Sequence, residues 1–203
     1  MTKPPVSRSF ATNDLPHTHA IRSSRIPIEG VAPNFVKVAP QIAAYRRMVR
    51  DHEFDVCELA PTTYIMARSL GAPFVALPIF VSRGFHHGGL LVRPDANIRT
   101  PKDLEGKKVG VRAYWVTTGA WTRGILIDEY DLDTSKVTWV VDDEEHVTQL
   151  KLPPNVVHAP ASRRRDGTRR KFRQRTIPTS SRKAGSWRPP HETIYPACRV
   201  QGD

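Results

Sequence analysis

The chain has only two cysteines, Cys57 and Cys198, too few to define a disulfide framework or a metal-ligand spacing. Cys57 lies between Val56 and Glu58 in an expected strand and reads as a small buried residue, not a reactive thiol. No run of eighteen apolar residues occurs, so no membrane-spanning helix is expected. The first twenty residues contain no apolar stretch of the length a secretory signal needs. As it stands, the sequence therefore predicts a cytoplasmic protein, or a periplasmic one if the true start lies upstream. Apolar residues make up 39%, a little low for a globular protein, while the 18 prolines are many.

Charge is present but unevenly placed. Through Pro160 there are 19 basic and 17 acidic residues, a net of +2; from Ala161 onward there are 12 and 3, a net of +9. Nearly all of the overall +11 thus belongs to the last forty-three residues, and the overall charge says little about the function of the body.

The body alternates strand and helix signals. Val6–Ala11 reads as a strand, and Asp14 or the Thr/His stretch after it opens a short helix ending near Ser24. Ile26–Val31 and Asn34–Val38 read as extended segments around a turn. Gln41–Arg50 carries apolar residues at helical spacing. Phe54–Leu59 is an expected strand, followed by a helix opened by Pro61 and stopped by Gly71. Pro73–Val81 reads as a buried strand that Pro78 pushes toward an edge or a bend. Gly88–Asp95 is a further strand. Pro101–Leu104 reads as a short helix, Lys107–Val111 as a strand and Thr118–Tyr130 as a helix burying Trp121, Ile125 and Leu126. Lys136–Val141 is a strand, and Asp142–Glu145 fits the acidic first turn of a helix running to Leu150. Strands separated by helices indicate βαβ units with a parallel sheet, an α/β fold.

The pattern stops after Pro160. The segment 161–203 has ten Arg against two Lys, with scattered Ser, Pro and Gly, and no apolar period. Such a composition cannot bury enough apolar area to offset its ordering entropy, so a disordered tail is expected. Two readings of it compete: a basic arm that binds nucleic acid electrostatically, or the product of a shifted reading frame. The Arg-Pro-Ser mixture favours the second.

Four words of the body, FDVCELAPTTYIMAR, FVALPIFVSRGFHH, LLVRPDANIRTPKDLEGKKVGV and TTGAWTRGILIDEYDLD, in this order and spacing, carry a resemblance. The stretch from about Asp14 to Pro160 resembles the 4,5-dihydroxyphthalate decarboxylases and their close relatives, the substrate-binding proteins of ABC transporters. The resemblance implies a periplasmic-binding-protein-like (type II) fold of two α/β lobes with the ligand in a cleft. It places a first lobe over 1–91, a crossover over 92–106 and a partial second lobe over 107–160, before the tail at 161–203.

A cleft for a dicarboxylate needs fixed donors. Helix N-termini supply free N–H groups and a favourable dipole. Thr62 and Thr63 follow one expected strand, and Thr117, Thr118 and Gly119 follow another; each group lies where ligands of open α/β sheets bind. Simple N-capping by threonine is the alternative for each. In the fold implied by the resemblance the two would face each other across the cleft. Arg83 suits a carboxylate through its guanidinium fork, against the alternative of a surface charge. His86 and His87 are candidates for the acid that protonates the ring on loss of CO₂, against a solvated or hydrogen-bonded role. Adjacent histidines on a strand point to opposite faces, so no metal site is expected there. Glu58 is a candidate partner for a ring hydroxyl, or a capping carboxylate. Arg112 and Tyr114 line the cleft or pack at the hinge.

The leading expectation is an enzyme, a decarboxylase-like protein acting on a hydroxylated aromatic dicarboxylate, with no cofactor. The alternatives are a solute-binding component of an importer with the same cleft, nucleic-acid binding through the tail, and an inactive remnant.

Overall fold

The computed structural model describes residues 4–92 and 96–160, and the strand positions 175–176 and 198–201. The chain forms two compact units, Met1–Ser82 and Arg83–Asp203.

In the first unit, β1 (Val6–Ala11) is central, flanked by β2 (Val31–Phe35) and β3 (Val56–Cys57), both parallel to it. Helix α1 (His19–Arg22) joins β1 to β2, α2 (Gln41–Asp51) joins β2 to β3, and α3 (Pro61–Ser69) follows β3. The core is Ala11, Ala44, Met48 and Phe54, with Val36, Val38, Cys57 and Phe74 against it. Pro61 occupies the first turn of α3, where its missing N–H costs nothing. Gly71, at φ +85°, terminates α3: its amide donates to Arg68 O, and that of Ala72 to Ala67 O.

Asp55 holds the strand edge. Its carboxylate accepts the Ser9 amide at 2.8 Å, the Ser9 hydroxyl at 2.9 Å and the Arg8 guanidinium at 2.9 Å, which together keep it below the usual carboxylate range. Burial pushes the Cys57 thiol up to about 12. The thiolate is the nucleophile, so Cys57 in the folded protein should resist iodoacetamide at mildly alkaline pH and react only after denaturation, as read by peptide mass.

The expected strand at Pro73–Val81 does not form. The segment is irregular, and Val75, Leu77, Ile79 and Phe80 stand 59–75% exposed. Pro73 and Pro78 have no N–H to give a ladder. Ile79 N donates to Leu77 O at 2.7 Å, and Ala76 N donates to the Tyr64 hydroxyl at 3.2 Å. β-branched composition reports suitability for a sheet, not the presence of a partner strand.

In the second unit, β4 (Leu90–Val92), β5 (Lys108–Val111), β6 (Thr138–Val141) and β7 (Val156–His158) join β8 (Arg175–Thr176) and β9 (Cys198–Gln201) in a sheet ordered β7-β6-β5-β9-β4-β8. Strands β5, β6 and β7 run parallel; β9 is parallel to β4 and antiparallel to β5. Helix α4 (Thr117–Tyr130) follows β5. Val109, Val111, Trp139 and Val141 are buried while the residues between them are not, the period of two that a strand imposes. Around them pack Leu90, Leu104, Leu126, Leu132 and Val137.

Four expectations change here. The division between the units falls at Ser82/Arg83, not at Leu91, because β4 and Leu90 pack in the second unit. Helix α4 buries Thr122, Arg123 and Leu126, and leaves Trp121 55% exposed. Residues 142–150 form no helix, because their polar groups engage the end of β5: the Asp142 and Asp143 amides donate to Arg112 O at 3.3 and 2.8 Å. Within the expected tail, β8 and β9 join the sheet through backbone pairing, which needs no apolar period; the rest of that reading lies outside the described residues. Residues 93–95, the end of the expected Gly88–Asp95 strand, lie outside them too.

Candidate functional site

Both units carry the same local device: a parallel strand, a short loop, and a helix whose N-cap residue has no capping side chain. In the first unit the N-cap of α3 is Ala60, and its side chain makes no cap bond. Thr62 and Thr63 are the second and third residues of the helix, so neither is the cap. Thr63 is fully buried and Thr62 half-buried. Glu58, in the loop after β3, holds the loop after β1: its two oxygens accept the Asn13 amide at 2.9 Å and the Asn13 side-chain amide at 3.2 Å. Its carboxylate thus ties two strand ends together, closer to the capping role weighed for it than to a group awaiting a ring hydroxyl.

In the second unit the N-cap of α4 is Val116, again without a cap bond. The first intrahelical donor is the Ala120 amide, which bonds Val116 O at 2.9 Å. Among the described residues the amides of Thr118 and Gly119 have no hydrogen-bond partner. Such amides at the positive end of a helix dipole attract an anion. Gly119 is required for packing: a Cβ there would stand 3.0 Å from Val111 Cγ2 and 3.4 Å from Arg123 Nη1.

Tyr114 is buried. Its ring meets Trp115 at 4.7 Å and Trp139 at 6.2 Å, and the Arg123 guanidinium lies 3.7 Å from its centroid. It serves local packing, one of the two roles weighed for it. Arg112 lies beside Asp143 at 3.8 Å. The acidic loop contributes Glu145, whose carboxylate accepts the amides of Tyr114 at 2.5 Å and Trp115 at 3.1 Å. Burial, opposed by those amides and by Arg123, raises the proton affinity of Glu145.

Arg83 is exposed. His87 Nε2 lies 3.0 Å from Glu129 Oε1, near the carboxyl end of α4. At a rise of 1.5 Å per residue, that end is roughly 16 Å from Thr118. No single aromatic dicarboxylate spans that length, so the Glu129 contact of His87 and the start of α4 are separate places on the helix. His86 and His87 border a recess with Leu90, Thr122, Leu126 and Tyr130, whose free space of about 20 Å³ has room for one water. Burial, then the neighbouring His87, lowers the proton affinity of His86. A more open depression of about 370 Å³ is lined by Asp142, Asp143, Glu144 and His158, three of them acids that would repel a dicarboxylate.

Sequence reasoning missed Arg123 and Glu145. The signal for Arg123 was its position four residues after Gly119, where the missing side chain leaves room for a guanidinium. Glu145 gave none, because a run of four acids reads equally well as a helix start.

The family described as the phosphonate periplasmic substrate-binding proteins of ABC transporters matches residues 33–151. The chain belongs to this family. The match spans β2 through the Glu145 loop, and so includes both strand-to-helix junctions of this substrate-binding protein family member. A 4,5-dihydroxyphthalate decarboxylase of Comamonas testosteroni is 34% identical over 163 residues, covering 76% of this chain and 49% of that protein. One of Pseudomonas putida is 32% identical over 155 residues, covering 73% of this chain and 60% of that protein. The chain therefore spans about half to three fifths of the length of these curated relatives. Neither the family nor these relatives is described as binding nucleic acid. Among the described residues no helix is long and apolar enough to cross a membrane, and no group of three or more metal-ligating side chains could hold an ion.

Proposed function

We propose that this chain binds a small carboxylate-bearing ligand at the strand-to-helix junction that opens α4, and that it acts on a hydroxylated aromatic dicarboxylate of the 4,5-dihydroxyphthalate type. The observation that carries the proposal is the start of α4, where the Thr118 and Gly119 amides have no partner among the described residues. A carboxylate there meets two donors and a helix dipole. The names of the two relatives supply the substrate class.

Decarboxylation breaks the bond between ring carbon and carboxylate. The electron pair stays on the ring carbon, which takes up a proton as CO₂ leaves. A ring hydroxyl para to that carbon stabilises the protonated ring, so the chain's part is to orient the leaving carboxylate and retain the second one. Thr117, Thr118 and Gly119 hold one carboxylate in this reading; Thr62 and Thr63 are the candidates at the first unit's own junction.

A second reading has the same site and no chemistry: a solute-binding component of an importer. The family match favours it as directly as the relatives' names favour the enzyme. Calorimetry with 4,5-dihydroxyphthalate and a CO₂-release assay on the same sample separate them. Binding with CO₂ release supports the enzyme, binding alone the receptor, and no binding removes both.

Thr118 is half-exposed and caps nothing. Thr118→Val keeps its shape and removes its hydroxyl. It should weaken 4,5-dihydroxyphthalate binding by about tenfold, the worth of a hydrogen bond to a charged group, while the melting temperature is unchanged.

A further inference from the structure

The acidic loop after β6 reaches back to the loop that leads into α4. Glu145 Oε1 accepts the Tyr114 amide at 2.5 Å, and Oε2 accepts the Trp115 amide at 3.1 Å. These two residues stand immediately before Val116, the N-cap of α4. One oxygen on each of two successive amides fixes the orientation of both peptide planes. Arg123, on the buried side of the same helix, lies near enough to favour the ionised carboxylate, and its guanidinium stacks on the Tyr114 ring at 3.7 Å. The loop is thereby held from both sides, by Glu145 on its backbone and by Arg123 on its side chain.

We infer that Glu145 is a positioning residue for the ligand site at the start of α4. It engages the two loop amides that would otherwise attract an anion themselves. The donors left to a ligand are those of Thr118 and Gly119. An internal carboxylate thus sets where an external carboxylate can bind. The inference rests on the proposed reading of that helix end as a carboxylate site.

The test uses the full chain, with 4,5-dihydroxyphthalate as the probe in calorimetry. Glu145→Ala should bind it about tenfold more weakly, because the loop loses a charge-assisted clamp. Glu145→Gln keeps one acceptor and should fall between Glu145→Ala and the wild type. Excess formate, small enough to occupy the vacated position, should recover affinity in Glu145→Ala and not in the wild type. A merely structural role predicts no such recovery. If Glu145→Ala is not folded by circular dichroism, Glu145→Gln carries the comparison. Wild-type affinity in the folded variant, or a loss that formate leaves untouched, overturns the inference alone. A wild type that fails to bind the probe overturns the reading of the site, and this inference with it.

Discussion

Arg123→Ala should destabilise the second unit by about 3 kcal/mol at neutral pH, the usual cost of leaving a buried charge without its partner. Arg123 is only 7% exposed, on a helix face that packs against Tyr114 and Trp139. Its loss leaves Glu145 ionised in a place where burial already disfavours the charge. The effect should depend on pH in a definite direction. Glu145 already binds its proton more tightly in the folded protein than in the unfolded chain, and without Arg123 it should do so more tightly still. A raised carboxyl group contributes stability that is present at low pH and lost as pH rises through its folded value. The deficit of Arg123→Ala should therefore be full where Glu145 is ionised and shrink as pH falls through that value. Asp143 adds to the raised affinity, and the Tyr114 and Trp115 amides oppose it. Urea unfolding of both proteins across mildly acidic to neutral pH checks this; a deficit independent of pH would assign the effect to lost packing alone.

Trp139→Ala should cost about 3–5 kcal/mol, in the range for removing a large aromatic from a core. Trp139 is 1% exposed and lies in the middle of β6. Its indole N–H donates to Thr134 O at 3.2 Å, so its polar atom is matched. Its ring supports both Tyr114 and Arg123. The substitution opens a cavity beneath the loop that leads into α4, so ligand affinity should fall along with stability. Thermal unfolding followed by far-ultraviolet dichroism measures the first effect and calorimetry the second. A melting temperature that stays put would remove Trp139 from the centre of the core.

Where the chain carries local signals, the sequence is a faithful guide. The Val6–Ala11 strand and the Pro61–Ser69 helix have the expected bounds, the helix because a proline opens it and a glycine closes it. Helix α4 and strand β5 stand within one residue of expectation. What was not legible depends on partners. Pro73–Val81 has the composition of a strand but joins no sheet among the described residues. The acids at 142–145 have the composition of a helix start, yet bind the end of β5. Burial of Arg123 follows from a tertiary neighbour that no helical period contains. The strand-to-helix junctions at Thr62–Thr63 and at Thr117–Thr118 were legible because strand followed by helix is a local pattern. The pairing of His87 with Glu129 was not, since it depends on which part of α4 the turn before β4 approaches.

The exposed apolar segment has a practical consequence. Val75, Leu77, Ile79 and Phe80 offer oily side chains to anything aromatic in solution. A phthalate-like molecule can adhere there weakly and without saturation, whether or not its carboxylates are recognised. That background grows with salt, which strengthens apolar association, while binding to helix amides weakens as charges are screened. Ionic strength is therefore the variable that tells adhesion from recognition in this protein.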